Sequence, residues 1–306
     1  MKVFVTGATG FVGQEIVRQL HGAGHALRIL ARDPQSRQVL DLVSRYGAEV
    51  HPGDVTRTVS LENALDGIEA TVHLVGIISE AGESTFENIH TRGTQNMVAA
   101  ARRAGVRRFL QMSALGARPN AVSRYHQTKW AAEEVVRKSG LNFTILRPSL
   151  IFGPQDHFVN LFAKISRFSP ILPVVGGGRA RFQPVAVEAV AKAFARALTE
   201  PKSLGQTYDL CGPDTLTLPQ ILDAILTATD RHRLKLRMPL ALARCQAAFL
   251  EFVFPRLLGK APPLNRDQLI MLQEDNLGDA APANELFGLQ QAGFLEGIGR
   301  YVKRET

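Results

Sequence analysis

Cysteine and tryptophan are scarce in this chain: Cys211, Cys245 and Trp130 are the only ones among 306 residues. The two cysteines show neither metal-ligand nor dithiol spacing. That excludes a disulfide framework, a thiolate zinc site and a redox pair, and a reduced, cytoplasmic setting is expected. His73, His126 and His157 are scattered, with no two residues at a spacing that would hold a metal, so no metal is expected. An uncharged apolar run of about 18 residues is also missing, which removes a membrane-spanning helix. Met1-Lys-Val-Phe-Val5 passes straight into a glycine turn and leaves no room for the apolar region of a secretory signal. RNA-binding and helix-turn-helix signatures are absent. The net charge of +8 therefore reads as a basic surface with a phosphate-bearing ligand, and no nucleic-acid partner is expected.

What is present is an ordinary globular composition, 45% apolar and 21% charged, long enough for one large α/β domain and a smaller lobe. Short β-rich runs alternate with helical patterns. Strands are expected at 2–6, 27–31, 49–51, 70–75, 108–112, 143–146 and 207–210. Helices are expected at 11–21, 91–104, 128–138, 159–167 and 218–227, and after Pro239. This βα alternation predicts a doubly wound parallel sheet of the Rossmann type, with ligands at the carboxyl ends of its strands. The loosened, Gly- and Pro-rich stretch after Phe152 predicts a second, discontinuous lobe. The expected division is 1–153 and 181–212 for the Rossmann domain, and 154–180 and 213–306 for a substrate or partner lobe.

Thr6-Gly-Ala-Thr-Gly-Phe-Val-Gly13 lies between the first strand and the first helix. Glycine there allows a tight turn and close approach of the backbone to a pyrophosphate, which meets the free N–H groups of the helix start. Thr6, Gly7, Thr9, Gly10, Phe11, Val12 and Gly13 are the candidate dinucleotide contacts. The second strand ends Leu30-Ala31-Arg32-Asp33-Pro34, with Ala31 at the position where an acid would accept from the ribose hydroxyls of NAD. Arg32 next to it suits a ribose phosphate, so NADP(H) is expected over NAD(H). Pro34 makes Asp33 read as a helix N-cap. Asp54 and Val55, after the third strand, are placed near the adenine, although a plain turn aspartate after Pro52-Gly53 reads equally well. Val75 and Gly76, after the fourth, are placed beside the nicotinamide half.

Tyr125 and Lys129 are four apart in an expected helix and so share a face. A free phenol titrates near ~10, and a neighbouring ammonium would lower that. The phenol would then exchange a proton with a carbonyl or alcohol oxygen, with Ser113 at a strand end bonding the same oxygen. The competing view is a helix that keeps these residues for binding and packing, without turnover. His126 is expected to point away from Tyr125.

These elements, with Asn88-Ile-His-Thr-Arg-Gly-Thr-Gln-Asn96, Leu146-Arg-Pro148 and Phe152-Gly-Pro154, resemble the extended and atypical branch of the short-chain dehydrogenase/reductase superfamily over the first two hundred residues. Within it, Gly153-Pro-Gln-Asp-His-Phe-Val-Asn-Leu-Phe162, Gln183-Pro-Val-Ala-Val187 and Pro262-Pro-Leu-Asn-Arg-Asp-Gln268 resemble the NADPH-binding accessory subunits of respiratory complex I and their bacterial relatives. The resemblance implies Ser113, Tyr125 and Lys129 as an active triad. It also implies Lys129 and Pro148 among the cofactor contacts. Sugar-nucleotide epimerases share the fold, but the serine lies closer to the tyrosine here and their nucleotide-sugar segment is not matched. Three alternatives result: a carbonyl reductase for an apolar substrate, a non-catalytic scaffold or assembly factor stabilised by its nucleotide, and an NAD-dependent epimerase or dehydratase.

In the second lobe, Arg231-His-Arg-Leu-Lys-Leu-Arg237 predicts a strand with one positive face, and Pro239 opens a strongly apolar helix. A helix apolar nearly all round is expected to be buried, as lobe core or an oligomer contact. The alternative is an apolar substrate pocket, or a peripheral membrane or protein partner held through residues 239–258, at the inner membrane in the case of a lipid surface.

Overall fold

The computed structural model describes residues 1–302. Its centre is a sheet built from β1 (Lys2–Thr6), β2 (Ala26–Ala31), β3 (Glu49–Pro52), β4 (Ala70–His73), β5 (Arg108–Met112), β6 (Phe143–Pro148) and a late seventh strand, Gln206–Leu210. The spatial order is β3-β2-β1-β4-β5-β6 and then Gln206–Leu210, every pairing parallel. Helices α1 (Phe11–Gly22), α2 (Arg37–Tyr46), α3 (Gly93–Arg103) and α4 (Arg124–Arg137) connect the strands. The chain order reverses between β1 and β4, which opens a crevice at their carboxyl ends.

Burial on both faces explains why the central strands β1 and β4 lack an alternating polar face. Val3, Phe4, Val5 and all of β4 are buried. One face packs Ile16, Val17, Leu20, Val190 and Phe194. The other packs Leu65, Met97, Phe109 and Val136. The expected strands fall within two residues of those observed, and α4 begins early enough to carry Tyr125 in its first turn.

A distinct C-terminal lobe surrounds the carboxyl ends. It contains α5 (Phe158–Phe168), the strand Ile171–Val175, α7 (Leu218–Ala228), the strand Leu234–Met238, α8 (Leu240–Val253), α9 (Arg266–Met271) and α11 (Phe294–Gly299), whereas α6 (Val187–Ala197) and α10 (Ala281–Phe287) pack on the main sheet. Its core holds Phe152, Val159, Leu172, Leu222, Ile225, Phe294 and Ile298.

Two expectations need correction. Helix α8 is not lobe core: of its fourteen residues only Ala243 and Ala247 are buried, and Leu242, Phe249 and Phe252 are exposed. Composition made it look buried, but what it covers is a small cluster of Val175, Leu269, Met238 and Leu264. Asp33 is not a helix N-cap either. Its carboxylate accepts the Gln35 N–H at 3.0 Å in a local turn, and α2 starts after Ser36.

Candidate active site

The glycine turn after β1 is shaped by backbone. Gly7 has φ of +75°, a left-handed conformation that suits glycine, and its carbonyl accepts the Gly10 N–H at 3.1 Å. A Cβ on Gly13 would lie 2.1 Å from that carbonyl oxygen and 2.8 Å from Ala8 Cα. Helix α1 starts at Phe11 with Gly10 as its N-cap, no side-chain cap and no acid in its first turn. The N–H groups at its mouth are thus directed at the crevice with a positive dipole end, the arrangement that holds a phosphate. Phe11 and Val12 are half-buried there, and Thr9 is fixed by its carbonyl accepting from Gln14 Nε2 at 3.0 Å. The Thr6 side chain turns inward instead. It is buried against His73 Nδ1 at 2.7 Å.

Four other residues sit at strand ends. Asp54 Oδ1 accepts both the N–H and the hydroxyl of Thr56 at 2.8 Å, so its carboxylate is engaged in its own turn. Val55 is buried in the core and its carbonyl holds Asn96 Nδ2 at 2.8 Å. Val75 packs on the same core, and the Pro148 carbonyl accepts the Leu115 N–H at 2.9 Å.

Beyond β4 the structure brings Gly76, Tyr125 and Lys129 together, and Ser113 follows Met112, which Lys129 contacts. Lys129 Nζ donates to the Met112 carbonyl at 3.2 Å, lies 2.9 Å from where a Gly76 Cβ would be, and sits 5.9 Å from the Tyr125 ring centre. A Cβ at position 76 would make that ammonium shift. The Ser113 hydroxyl is buried and has no hydrogen-bond partner among the described residues. A buried hydroxyl without a partner is costly unless a ligand completes it. Burial lowers Lys129 to about 8, an effect the Glu133 carboxylate partly offsets. Burial raises Tyr125 to about 12, and the nearby Asp267 charge adds to this. The expected lowering of the phenol by Lys129 is therefore not seen, because desolvation outweighs the ammonium.

Several residues escaped sequence reasoning. His90, inside the quoted Asn88–Asn96 stretch, lies on a π-helical turn, Glu87–Arg92, just before α3. Its Nε2 accepts the Ile77 N–H at 3.1 Å, and its Nδ1 meets Thr128 Oγ1 at 2.9 Å. It stacks on Phe86 at 5.5 Å and meets Tyr125 edge-on at 5.3 Å. Burial and then the Lys129 charge lower it to about 2, so the ring is neutral. His126, expected to turn away, has its ring 5.4 Å from that of Tyr125. Asp267 is the largest omission. Its carboxylate accepts from Ser123 Oγ at 2.8 Å, Arg124 N at 2.8 Å and Tyr125 N at 3.0 Å, closing the start of α4 with an acid from the other lobe. A second anchor is buried Glu133, which takes Arg147 of β6 at 2.6 Å and Arg137 at 2.6 Å and so pins α4 to the sheet. A cleft of about 540 Å³ opens beside Phe86 and Asp267, between the lobes.

The fold and this crevice define a Rossmann-type dinucleotide-binding protein with an added C-terminal lobe. The chain belongs to the NAD(P)H-binding family, whose model matches residues 7–201. It is 30% identical, over 89% of its length, to the NADH dehydrogenase 1 alpha subcomplex subunit 9 of Arabidopsis thaliana, and spans 70% of that protein. It spans 62% of a Neurospora crassa 40 kDa NADH-ubiquinone oxidoreductase subunit at 27% identity. A ceramide reductase of Caulobacter vibrioides is 37% identical over 56% of this chain and 53% of its own. Among solved structures, the dTDP-glucose 4,6-dehydratase of Streptomyces venezuelae shares the fold with a TM-score of 0.78 at 21% identity, over 99% of this chain and 96% of that one. The protein is thus a Rossmann-fold member related to the complex I accessory subunits, and it shares its fold with the dehydratase.

The expectation of NADP(H) over NAD(H) is corrected by these structures: the dehydratase and a UDP-glucuronic acid 4-epimerase of Bacillus cereus were both solved with NAD. Arg32 is exposed just after β2. Beside it stands the exposed Asp33 carboxylate, an acceptor of the kind that ribose hydroxyls need.

Proposed function

We propose that this chain is an NAD(H)-dependent oxidoreductase that works at a carbonyl or alcohol carbon of an apolar substrate. The single observation carrying this is the buried Ser113 hydroxyl, without a partner among the described residues and next in the chain to Met112, whose carbonyl takes Lys129. The nicotinamide would supply or accept the hydride. Ser113 would donate to the substrate oxygen. Tyr125, held protonated by burial, is the form that gives a proton to a carbonyl oxygen, which favours reduction. Lys129, with one acceptor among the described residues for its three N–H groups, has donors left for ribose hydroxyls, and at pH 7 its value of about 8 keeps it mostly charged. An apolar substrate accords with the printed names of two relatives, the ceramide reductase and the sterol demethylase protein B of Methylococcus capsulatus, the latter 28% identical over 99% of both chains.

A second reading has a specific observation behind it. The relatives named as complex I subunits match 77% to 89% of the chain, and those names weigh more toward a nucleotide kept as a structural part than toward carbonyl reduction.

Tyr125→Phe separates the two. Reduction of lipid ketones by NADH should fall at least about a hundredfold with nucleotide affinity unchanged, since a positioned acid contributes about that much or more. Retained turnover overturns the role of Tyr125. A wild-type protein that binds NADH yet reduces no lipid ketone favours the second reading.

A further inference from the structure

We propose that the outward face of α8 and the turn after it dock on an anionic lipid surface. Leu242, Cys245, Phe249 and Phe252 recur every three or four residues and so share one face of α8. Leu242, Phe249 and Phe252 are 59%, 65% and 60% exposed, while Ala243 and Ala247 on the opposite side seat the helix on the lobe. A π-helical turn, Phe254–Leu258, continues the segment to Gly259 and projects Leu257 and Leu258 at 75% and 56% exposure. Single exposed apolar residues are ordinary; five large ones on one helix and its following turn are not.

Charge selects the occupant. Residues 231–260 contain Arg231, Arg233, Lys235, Arg237, Arg244, Arg256 and Lys260 against Glu251 alone, a net +6 in a chain whose total is +8. The one acid is paired with Arg266 at 2.7 Å, and Lys235 is paired with Asp223 of α7. The Arg256 guanidinium lies 4.0 Å above the Phe252 ring, a stem along apolar surface with its charge at the edge. An amphipathic helix with aromatic and leucine residues on one side and basic residues around it lies in the plane of a membrane interface. A second copy of the chain would set two such positive segments against each other, which charge opposes. No helix among the described residues is long and apolar enough to cross a membrane, so the contact is peripheral. The inner side of the same helix supplies Arg244 and Glu251 to the interlobe cleft. Docking would therefore hold that cleft at the lipid surface, whether or not the protein turns over.

The test is flotation of the full chain with phosphatidylcholine vesicles, with and without phosphatidylglycerol. Binding is expected to the anionic vesicles only, and to weaken as salt rises. Removing a basic residue should weaken it about fivefold, so R256Q with K260Q should cost about twenty-fivefold. Replacing Phe249, Phe252, Leu257 and Leu258 together by serine should abolish it, while an unchanged melting temperature and unchanged NADH quenching of Trp130 show the fold intact. Absence of flotation at low salt overturns the proposal, as does equal binding to neutral vesicles. A lipid-free dimer that the serine variant dissolves, without flotation, assigns the face to a second copy and also overturns it.

Discussion

His73 lies wholly inside the protein, its Nδ1 on Thr6 and its Nε2 on Thr94 Oγ1 at 3.2 Å. Burial and then the Lys129 charge hold it down at about 3. Its folded value lies below the unfolded ~6.5, so the unfolded chain binds the extra proton in between. The stability this contributes is complete above about pH 6.5 and is lost as pH falls, by about 1.4 kcal/mol per unit, until about pH 3. His73→Asn should remove that slope. Urea midpoints between pH 7 and pH 5 should therefore fall less in the variant than in the parent, and parallel curves would refute the assignment. His73 had no visible function in the sequence because its partners, Thr6 and Thr94, come from separate elements. Ser113, Tyr125 and Lys129 were legible, since strand-end position and helical spacing are local properties. The direction of the Tyr125 shift was not. Desolvation is decided by Phe86, His90 and His126, and only the fold gathers those rings.

Helix α1 and its preceding turn act as one element, and Gly13 is where they meet. A Cβ there strikes two backbone atoms, Gly7 O and Ala8 Cα, neither of which can rotate away. Gly13→Ala should cost roughly 1–3 kcal/mol in thermal unfolding, as overpacking does, and should abolish stabilisation by added NADH because the turn must open. A variant that melts normally and still gains stability with NADH would contradict this. Helix α4 poses the complementary case, an element fixed from outside itself. Asp267→Asn puts an amide where α4 presents N–H donors and removes the charge facing its dipole. Unfolding stability should drop by about 1 kcal/mol, and the phenol titration of Tyr125 should move down from about 12. That clamp was illegible because it joins residues 142 apart. The βα alternation was readable for the opposite reason: each strand, glycine turn and helix start is written in adjacent residues. Helix α8 shows the limit of pattern, since its apolar composition does not say whether the fold offers anything to bury it against.

At the scale of the whole molecule the question is whether the nucleotide comes and goes. The crevice lies between the helix α1 mouth and a lobe fastened by Asp267, by Asn265 Nδ2 on the Ile78 carbonyl at 2.8 Å, and by Asn276 Nδ2 on the Leu115 carbonyl at 3.0 Å. If they open readily, release is fast; if they act together, the nucleotide becomes part of the fold and stabilises it by mass action. Trp130 reports this directly. It is the single tryptophan, follows Lys129 on α4, and is held between the guanidinium groups of Arg137 at 4.9 Å and Arg147 at 5.8 Å. Energy transfer from this fixed ring to bound NADH should decay on dilution into excess NAD. Enzymes turn over at about 10 per second, and a working oxidoreductase must release its cofactor at least that fast. The reductase reading expects a decay on that timescale, leaving Asp267→Asn as fast as the parent or faster. Decay over many minutes, brought to seconds by Asp267→Asn, would instead mean that the lobe locks the nucleotide in place, and the accessory-subunit reading would stand.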